Sequence, residues 1–206
     1  MRNLAAYMLV VVAGLAASSS SSMAGDYVSY TGAGGDIDDN DLTAFFVDVP
    51  ADFGVVTDLE LDIRGLSHPF PDDLEIYLLH PTFATIKILQ DQGDGVDLLG
   101  AFLTFRDAAL NAPPDESNLV PNPMFDSRAG LITQVYRPQG LVDGSDGGFA
   151  DFEGIPGGGR WGLLIVDDSM GDTGSFDGFT LRIVPEPMTM SLLALGALAA
   201  LRRKRR

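Results

Sequence analysis

Short apolar runs, each ended by glycine, proline, aspartate or asparagine, constrain the fold of residues 25–184 more than any other feature. The clearest run is 58–64, in which apolar and charged side chains alternate, so one face is buried and the other is solvated. No window shows the 3.6-residue period of an amphipathic helix. The region is therefore predicted to be all-β.

The spacing of these runs predicts a β-sandwich of jelly-roll type with about eight strands. The predicted strands are 43–49, 58–64, 74–79, 85–89, 102–105, 132–136, 161–166 and 179–184. Two stretches are predicted to be loops because they are rich in proline or glycine, namely 111–123 and 140–159.

The first 24 residues have the layout of a secretory signal peptide. Arg2 supplies a positive charge, residues 4–17 are apolar, and Ser22-Met23-Ala24 is a small-x-small cleavage site. The mature chain is therefore predicted to begin at Gly25. The alternative is a second anchor helix, but a short apolar stretch followed by a serine run favours removal.

The C-terminus joins a helix-breaking hinge, an apolar run over 188–201 and a basic end. As a helix, these 14 apolar residues extend about 21 Å, which is short against a bilayer core of about 30 Å. The five cations are expected to stay on the cytoplasmic side, which places the preceding chain outside the inner membrane. The sequence thus predicts a short transmembrane helix, retained as an anchor or removed.

This tail resembles the PEP-CTERM sorting tail of exported bacterial proteins, which a membrane protease-transpeptidase called exosortase is thought to process. The resemblance implies an exosortase-type partner and an inner-membrane-anchored precursor that later reaches the cell surface or extracellular matrix. The sorting residues that it implies are Pro185, Glu186, Pro187, Arg202, Arg203, Lys204, Arg205 and Arg206.

Charge excludes one class of partner for the predicted domain 25–184. It holds 28 acidic and seven basic side chains, so its formal net charge is −21, against −16 for the whole chain. Such a domain repels nucleic acid and anionic lipid. The chain has no cysteine, so packing, and not disulfide bonds, must hold this exported domain together.

Two longer stretches resemble a known domain. The first contains Ser67-His68 and then Asp73-Leu-Glu-Ile-Tyr-Leu-Leu-His-Pro81; the second contains Gly159-Arg-Trp161-Gly-Leu-Leu-Ile-Val-Asp167 and then Gly171-Asp172-Thr173-Gly174. Together they resemble the P domain, also called the P/Homo B domain, of subtilisin-like proprotein convertases. The resemblance covers most of 36–184. It departs from the family pattern at Pro71–Asp73 and at Phe179, where Gly-Asp and a second tryptophan are usual.

This resemblance implies a jelly-roll sandwich that stabilises a neighbouring serine protease domain and has no catalytic residue of its own. It also implies a packing or hydrogen-bonding role for His68. The residues agree, because two histidines, no cysteine and no Gly-x-Ser-x-Gly elbow leave no triad. Carboxylate pairs of the glycosidase kind arise by chance among so many acids. We therefore expect no enzymatic activity.

Aspartates cluster at three places in the sequence and predict Ca²⁺ binding, because Ca²⁺ prefers hard oxygen ligands. The alternative is that they are solvated turn residues, since aspartate is a common turn former. The candidate Ca²⁺ ligands are Asp36, Asp38, Asp72, Asp73, Asp167, Asp168, Asp172 and Asp177.

Three functions remain open from the sequence. The first is a structural or adhesive surface module, and the second is an accessory domain for a separate subtilisin-like protease chain. The third is binding of a matrix polysaccharide, with Trp161 as the sugar platform, although one tryptophan in an apolar strand is more often a core residue.

Overall fold

The computed structural model describes residues 26–92, 97–109, 133–142, 144–145 and 147–186. Across these residues ten strands form two five-stranded sheets, which confirms the all-β prediction. The strands are β1 (Val28–Ile37), β2 (Leu42–Val49), β3 (Val56–His68), β4 (Leu74–Leu79), β5 (Thr85–Gln90), β6 (Leu98–Phe105), β7 (Thr133–Tyr136), β8 (Gly140–Leu141), β9 (Gly159–Asp167) and β10 (Gly174–Pro185).

The first sheet has the strand order β1-β10-β3-β6-β7 and is antiparallel except between β6 and β7. In its centre, Leu181 of β10 lies opposite Tyr30 on one side and Leu61 on the other. Successive side chains alternate between faces, so the buried Leu61 and Leu181 share the inner face. Arg182 and Glu60, also opposite each other, share the outer face.

The second sheet has the order β2-β9-β4-β5-β8 and is antiparallel throughout. Leu163 of β9 lies opposite Phe45 of β2 and Leu78 of β4. The inner faces of the two sheets pack together, and one apolar core fills the space between them. Its largest fully buried side chains are Trp161, Phe105, Phe149, Phe152 and Phe179.

The predicted strand count of about eight is low because two strands were not predicted. β1 contains three glycines and lacks a clean apolar alternation, yet it pairs along its length with β10. A Cβ at Gly32 would lie 2.2 Å from Cε1 of Phe179, so this glycine gives the Phe179 ring its space in the core. The predicted loop 140–159 is wrong in part, because it contains β8 and a 3₁₀ turn at Phe149–Phe152.

Several predictions fall outside the described residues: the signal peptide 1–24, the loop 111–123, and the tail from Pro187 through the apolar run to the basic end. Pro185 is the last residue of β10, and the N–H of Glu186 donates to the carbonyl oxygen of Val55. Among the described residues, no helix has the length and apolar character needed to cross a membrane. Jelly-roll connectivity stays a prediction.

Candidate functional site

The candidate site lies at the end of the sandwich where β3 and β9 stop and β4 starts. His68 is the last residue of β3, and Asp167, the last residue of β9, lies opposite Leu74 at the start of β4. A 3₁₀ turn, Pro71–Asp73, connects β3 to β4. Segments from both sheets therefore converge at this edge, and most of their polar residues are acidic.

His68 is buried at the centre of this edge and is held by several contacts. Its Nε2 donates to Oδ2 of Asp167 over 3.1 Å and lies 3.7 Å from Oδ1 of Asp172. Its Nδ1 lies 2.7 Å from the carbonyl oxygen of Phe70. A Cβ at Gly174 would lie 2.5 Å from Cδ2 of His68, so the glycine is what lets the ring enter. These contacts confirm the predicted hydrogen-bonding role of His68.

The carboxylates around His68 repel one another. Burial raises the pKa of the Asp73 carboxyl, and the nearby charges of Asp172, Asp167 and Asp168 raise it further. Oδ1 of Asp172 is buried and accepts no hydrogen bond from the described residues. His68, Asp167 and Asp172 each offer a ligand atom, and these three atoms lie within 4.8 Å of one another.

A second group of acidic side chains adjoins the first. Glu75, Asp91 and Asp168 each offer an oxygen, again within 4.8 Å of one another. Glu75 accepts hydrogen bonds from the Tyr77 hydroxyl and from Nε2 of Gln90, both over 2.7 Å. Burial raises the pKa of Asp91, and the charges of Glu75 and Asp168 add to the shift. Nearby carboxylates thus add to the raised pKa of Asp73 and of Asp91.

Positive charge is scarce at this edge. Of the ion pairs within the described chain, only those of His68 reach these carboxylates. Arg182 pairs with Glu60 on the outer face of the first sheet, and Arg160 lies 3.9 Å from Asp48. Unpaired carboxylates within about 4–6 Å of each other are costly, and a cation among them relieves that cost. Their oxygens suit Ca²⁺, while the imidazole of His68 suits it less and serves to orient Asp167.

The eight aspartates predicted as Ca²⁺ ligands do not all meet. Asp73, Asp167, Asp168 and Asp172 lie together, and the charge of Asp72 contributes to the raised pKa of Asp91. The other three belong to neither group of described residues. They are Asp36 in β1, Asp38 just after it, and Asp177 of β10, which lies over Gly65.

Two acidic residues of this edge, Glu75 and Asp91, were not predicted from the sequence. Glu75 alternates with the buried Leu74 and Ile76, so it faces away from the core. β5 returns antiparallel, with Gln90 opposite Glu75, and Asp91 follows at once. Pairing β4 with β5 in the register of this hairpin would have predicted that Glu75 and Asp91 lie close together. No local cluster of aspartates indicates it.

The structure places Trp161 in the core. Its side chain is fully buried, and its Nε1 donates to the carbonyl oxygen of Gly157 over 2.8 Å. The prediction that this tryptophan is a core residue is confirmed, and a sugar platform on Trp161 is wrong.

We expect acidification from about pH 7 to pH 5 to lower the free energy of unfolding through His80. Burial lowers the pKa of His80 below 6.5, and the nearby Pro156 backbone opposes this shift only in part. The unfolded chain therefore takes up a proton at a higher pH than the folded chain. Stability present above about pH 6.5 is lost as the pH falls, by at most about 1.4 kcal/mol per pH unit.

Urea unfolding of the wild type and of His80→Gln at several pH values measures this effect as a difference. The comparison is needed because the raised pKa values of Asp73 and Asp91 act in the opposite direction, stabilising the fold as the pH falls. A difference between the two proteins that stays constant with pH contradicts the prediction.

Comparison with known proteins confirms the predicted sorting tail. Residues 184–206 match the PEP-CTERM protein-sorting motif. This motif marks an exported protein that carries a C-terminal signal for the cell surface and is processed by an exosortase-type enzyme. No curated protein sequence matches the chain.

Two solved structures are similar to the chain, both from Aeromonas sobria. One is a serine protease, with 14% identity and a TM-score of 0.40 over 76% of this chain and 27% of that chain. The other is a complex of a serine protease and its chaperone, with 13% identity and a TM-score of 0.41 over 76% and 26%. The chain thus spans about a quarter of the length of these structures.

Proposed function

From the PEP-CTERM motif at residues 184–206, we propose that this chain is a non-catalytic β-sandwich module of the cell envelope or extracellular matrix. Its precursor is anchored in the inner membrane by 188–201 until an exosortase-type enzyme processes the tail. Its role at the surface is structural or adhesive, and bound Ca²⁺ rigidifies the acidic edge of the sandwich.

The raised pKa of the Asp73 carboxyl is the observation that supports Ca²⁺ binding. Burial and three other carboxylates together raise its pKa, and among the described residues no lysine or arginine forms an ion pair with them. Asp73, Asp167 and Asp172 would supply the oxygens, and the unbonded Oδ1 of Asp172 is available to a cation. A divalent ion there replaces repulsion by attraction and ties the β3–β4 turn, β9 and the β9–β10 loop together.

We expect the full-length chain, purified in a non-ionic detergent, to melt at a higher temperature with Ca²⁺ than with excess chelator. Extracellular Ca²⁺ modules bind with dissociation constants of about 10⁻⁴–10⁻³ M, so about 5 mM Ca²⁺ adds roughly 1–2 kcal/mol. For a chain of this size that corresponds to about 2–8 °C. Mg²⁺ at the same concentration is expected to give little, because it demands a tighter octahedral shell.

Asp172→Asn is expected to remove most of the Ca²⁺ response. Asp177→Asn is the matched control, because Asp177 is exposed and lies in neither carboxylate group, so the full response is expected to remain. A Ca²⁺ rise that Mg²⁺ reproduces, or that survives Asp172→Asn, overturns the proposed site. A response lost equally in both variants overturns it as well.

A second candidate is an accessory domain that acts on a separate serine protease chain. It is favoured by the P-domain motifs, which in the folded chain form β4, β9 and the loop from β9 into β10. Its test is co-purification of a subtilisin-like chain with the exported protein, together with loss of that protease's heat stability when this chain is deleted. A protease unaffected by the deletion argues against this function.

A further inference from the structure

A groove crosses the end of the first sheet beside His68. It passes over the ends of four neighbouring strands in the order β1, β10, β3 and β6. The residues that line it are Asp36, Ser67, His68, Pro69, Asp97, Leu98, Leu99, Thr173, Gly174 and Ser175. Asp36 and Asp97 belong to neither of the carboxylate groups described above, so the groove is a separate feature of this edge.

Two carboxylates stand at opposite ends of the groove. Asp36 is in β1, and Asp97 directly precedes β6. β10 and β3 lie between these strands, so three inter-strand spacings of about 4.8 Å separate the backbones of the two residues by roughly 14 Å across the sheet. Within the described chain, neither side chain accepts a hydrogen bond or forms an ion pair.

The floor and rim between these ends are partly apolar and partly hydroxylic. Leu99 is 64% exposed, and Pro69 beside it is also exposed. The hydroxyls of Thr173 and Ser175 make no hydrogen bond to other described residues. An apolar wall suits the methylene stem of a lysine or arginine side chain, whose head then reaches a carboxylate.

No phenylalanine, tyrosine, tryptophan, lysine or arginine is among the described lining residues, and the imidazole of His68 is buried and held by Asp167. The described lining therefore offers a sugar no exposed ring to stack on, and no lysine or arginine of this lining pairs with Asp36 or Asp97. An extended peptide advances about 3.3 Å per residue, so side chains at positions i and i+4 lie on one face about 13 Å apart. That separation is close to the distance across the sheet between Asp36 and Asp97.

We propose that this groove binds an extended basic segment of another protein, with two cationic side chains four residues apart contacting Asp36 and Asp97. The chain's own basic segment, 202–206, is not the proposed occupant, because basic residues after an apolar stretch are retained on the cytoplasmic side, whereas the sandwich is proposed to be exported. Binding does not require Ca²⁺, since neither carboxylate belongs to the proposed Ca²⁺ site.

Two labelled seven-residue peptides of the same composition test this geometry by fluorescence anisotropy with the full-length chain in non-ionic detergent. Both consist of serine and threonine with two lysines, at the second and sixth positions in one and at neighbouring positions in the other. At about 0.15 M salt, where the Debye length is about 8 Å, the spaced peptide is expected to bind at least fivefold more tightly. The preference is expected both with Ca²⁺ and with chelator.

The double variant Asp36→Asn/Asp97→Asn is expected to lose this preference. The control Asp26→Asn/Asp52→Asn removes the same charge from exposed positions at the opposite end of the sandwich and is expected to keep it. Unchanged melting temperatures establish that both variants are folded.

Three outcomes overturn the proposal: equal binding of the two peptides, no binding of either, or equal weakening by the two double variants, which indicates attraction to net charge alone. Displacement of the peptide by maltohexaose assigns the groove to a polyhydroxylated ligand instead and also overturns it. If Ca²⁺ does not change the melting temperature, only the proposed Ca²⁺ site is contradicted, because the preference for the spaced peptide is also measured in the presence of chelator.

Discussion

Replacing Trp161 by alanine is expected to lower the free energy of unfolding by about 3–5 kcal/mol, the range for large aromatic residues in cores. The Trp161 side chain is fully buried in β9. Its ring packs edge-on against His80 at 4.5 Å and against Phe152 at 5.4 Å between ring centroids. The substitution therefore leaves a cavity beside His80 and the 3₁₀ turn Phe149–Phe152. It also removes the indole N–H that donates a hydrogen bond to the Gly157 carbonyl oxygen.

Urea unfolding monitored by far-ultraviolet circular dichroism measures this loss, because the signal does not depend on the tryptophan. Phe83→Ala is the matched control, since Phe83 is 84% exposed at the turn between β4 and β5. Its removal is expected to change stability by no more than about 0.5 kcal/mol. A loss below about 1 kcal/mol for Trp161→Ala would mean that this part of the core is not closely packed.

The sequence predicted those strands whose two faces differ strongly. β3 was predicted from the alternation around Leu59 and Ile63, and β4 from that of Leu74, Ile76 and Leu78. Burial and exposure impose a period of two on such strands, and that period is visible in one strand at a time. The end of β3 was predicted too early, because Gly65 and Ser67 interrupt the alternation before His68.

β1 was missed because the cause of its structure lies in its neighbour. Its glycines have no side chains that could form an apolar pattern. Gly32 instead leaves space for the ring of Phe179, which lies opposite it in β10. At Gly34 a Cβ would lie 2.1 Å from the Phe176 carbonyl oxygen, so the backbones approach too closely for any other residue. Such a strand is specified by its partner, which no local pattern in β1 reveals.

The acidic edge was predicted in part for the same reason. Asp167 and Asp168 stand at the end of a strongly apolar strand, so their place at one end of the sandwich follows from the sequence. Which other acids join them depends on the pairing of β4 with both β9 and β5, and that register brought in Glu75 and Asp91. Asp36 and Asp177 lie in β1 and β10 of the first sheet, and they belong to neither carboxylate group.

The outer face of the first sheet contains a buried carboxylate, that of Asp62, which one arginine neutralises. Asp62 of β3 is only 2% exposed, accepts a 2.7 Å hydrogen bond from the Thr104 hydroxyl, and forms an ion pair with Arg182. Arg182 also pairs with Glu60. An isolated buried carboxylate is costly, so removal of its cation costs more than the pair itself contributes.

We expect Arg182→Met to lower the free energy of unfolding by about 3 kcal/mol, at the low end for a broken buried pair because Arg182 is partly exposed. Arg160→Met is the matched control: Arg160 and Asp48 are 66% and 80% exposed, so the expected loss is below about 1 kcal/mol. The double variant Arg182→Met/Asp62→Asn is expected to regain at least about 1 kcal/mol relative to Arg182→Met, because the asparagine keeps an oxygen for Thr104 and carries no charge. Denaturant unfolding of the wild type, Arg182→Met, Asp62→Asn and the double variant completes a double-mutant cycle. Additive losses from the two single variants would show that the Asp62 carboxylate is solvated and does not depend on the arginine.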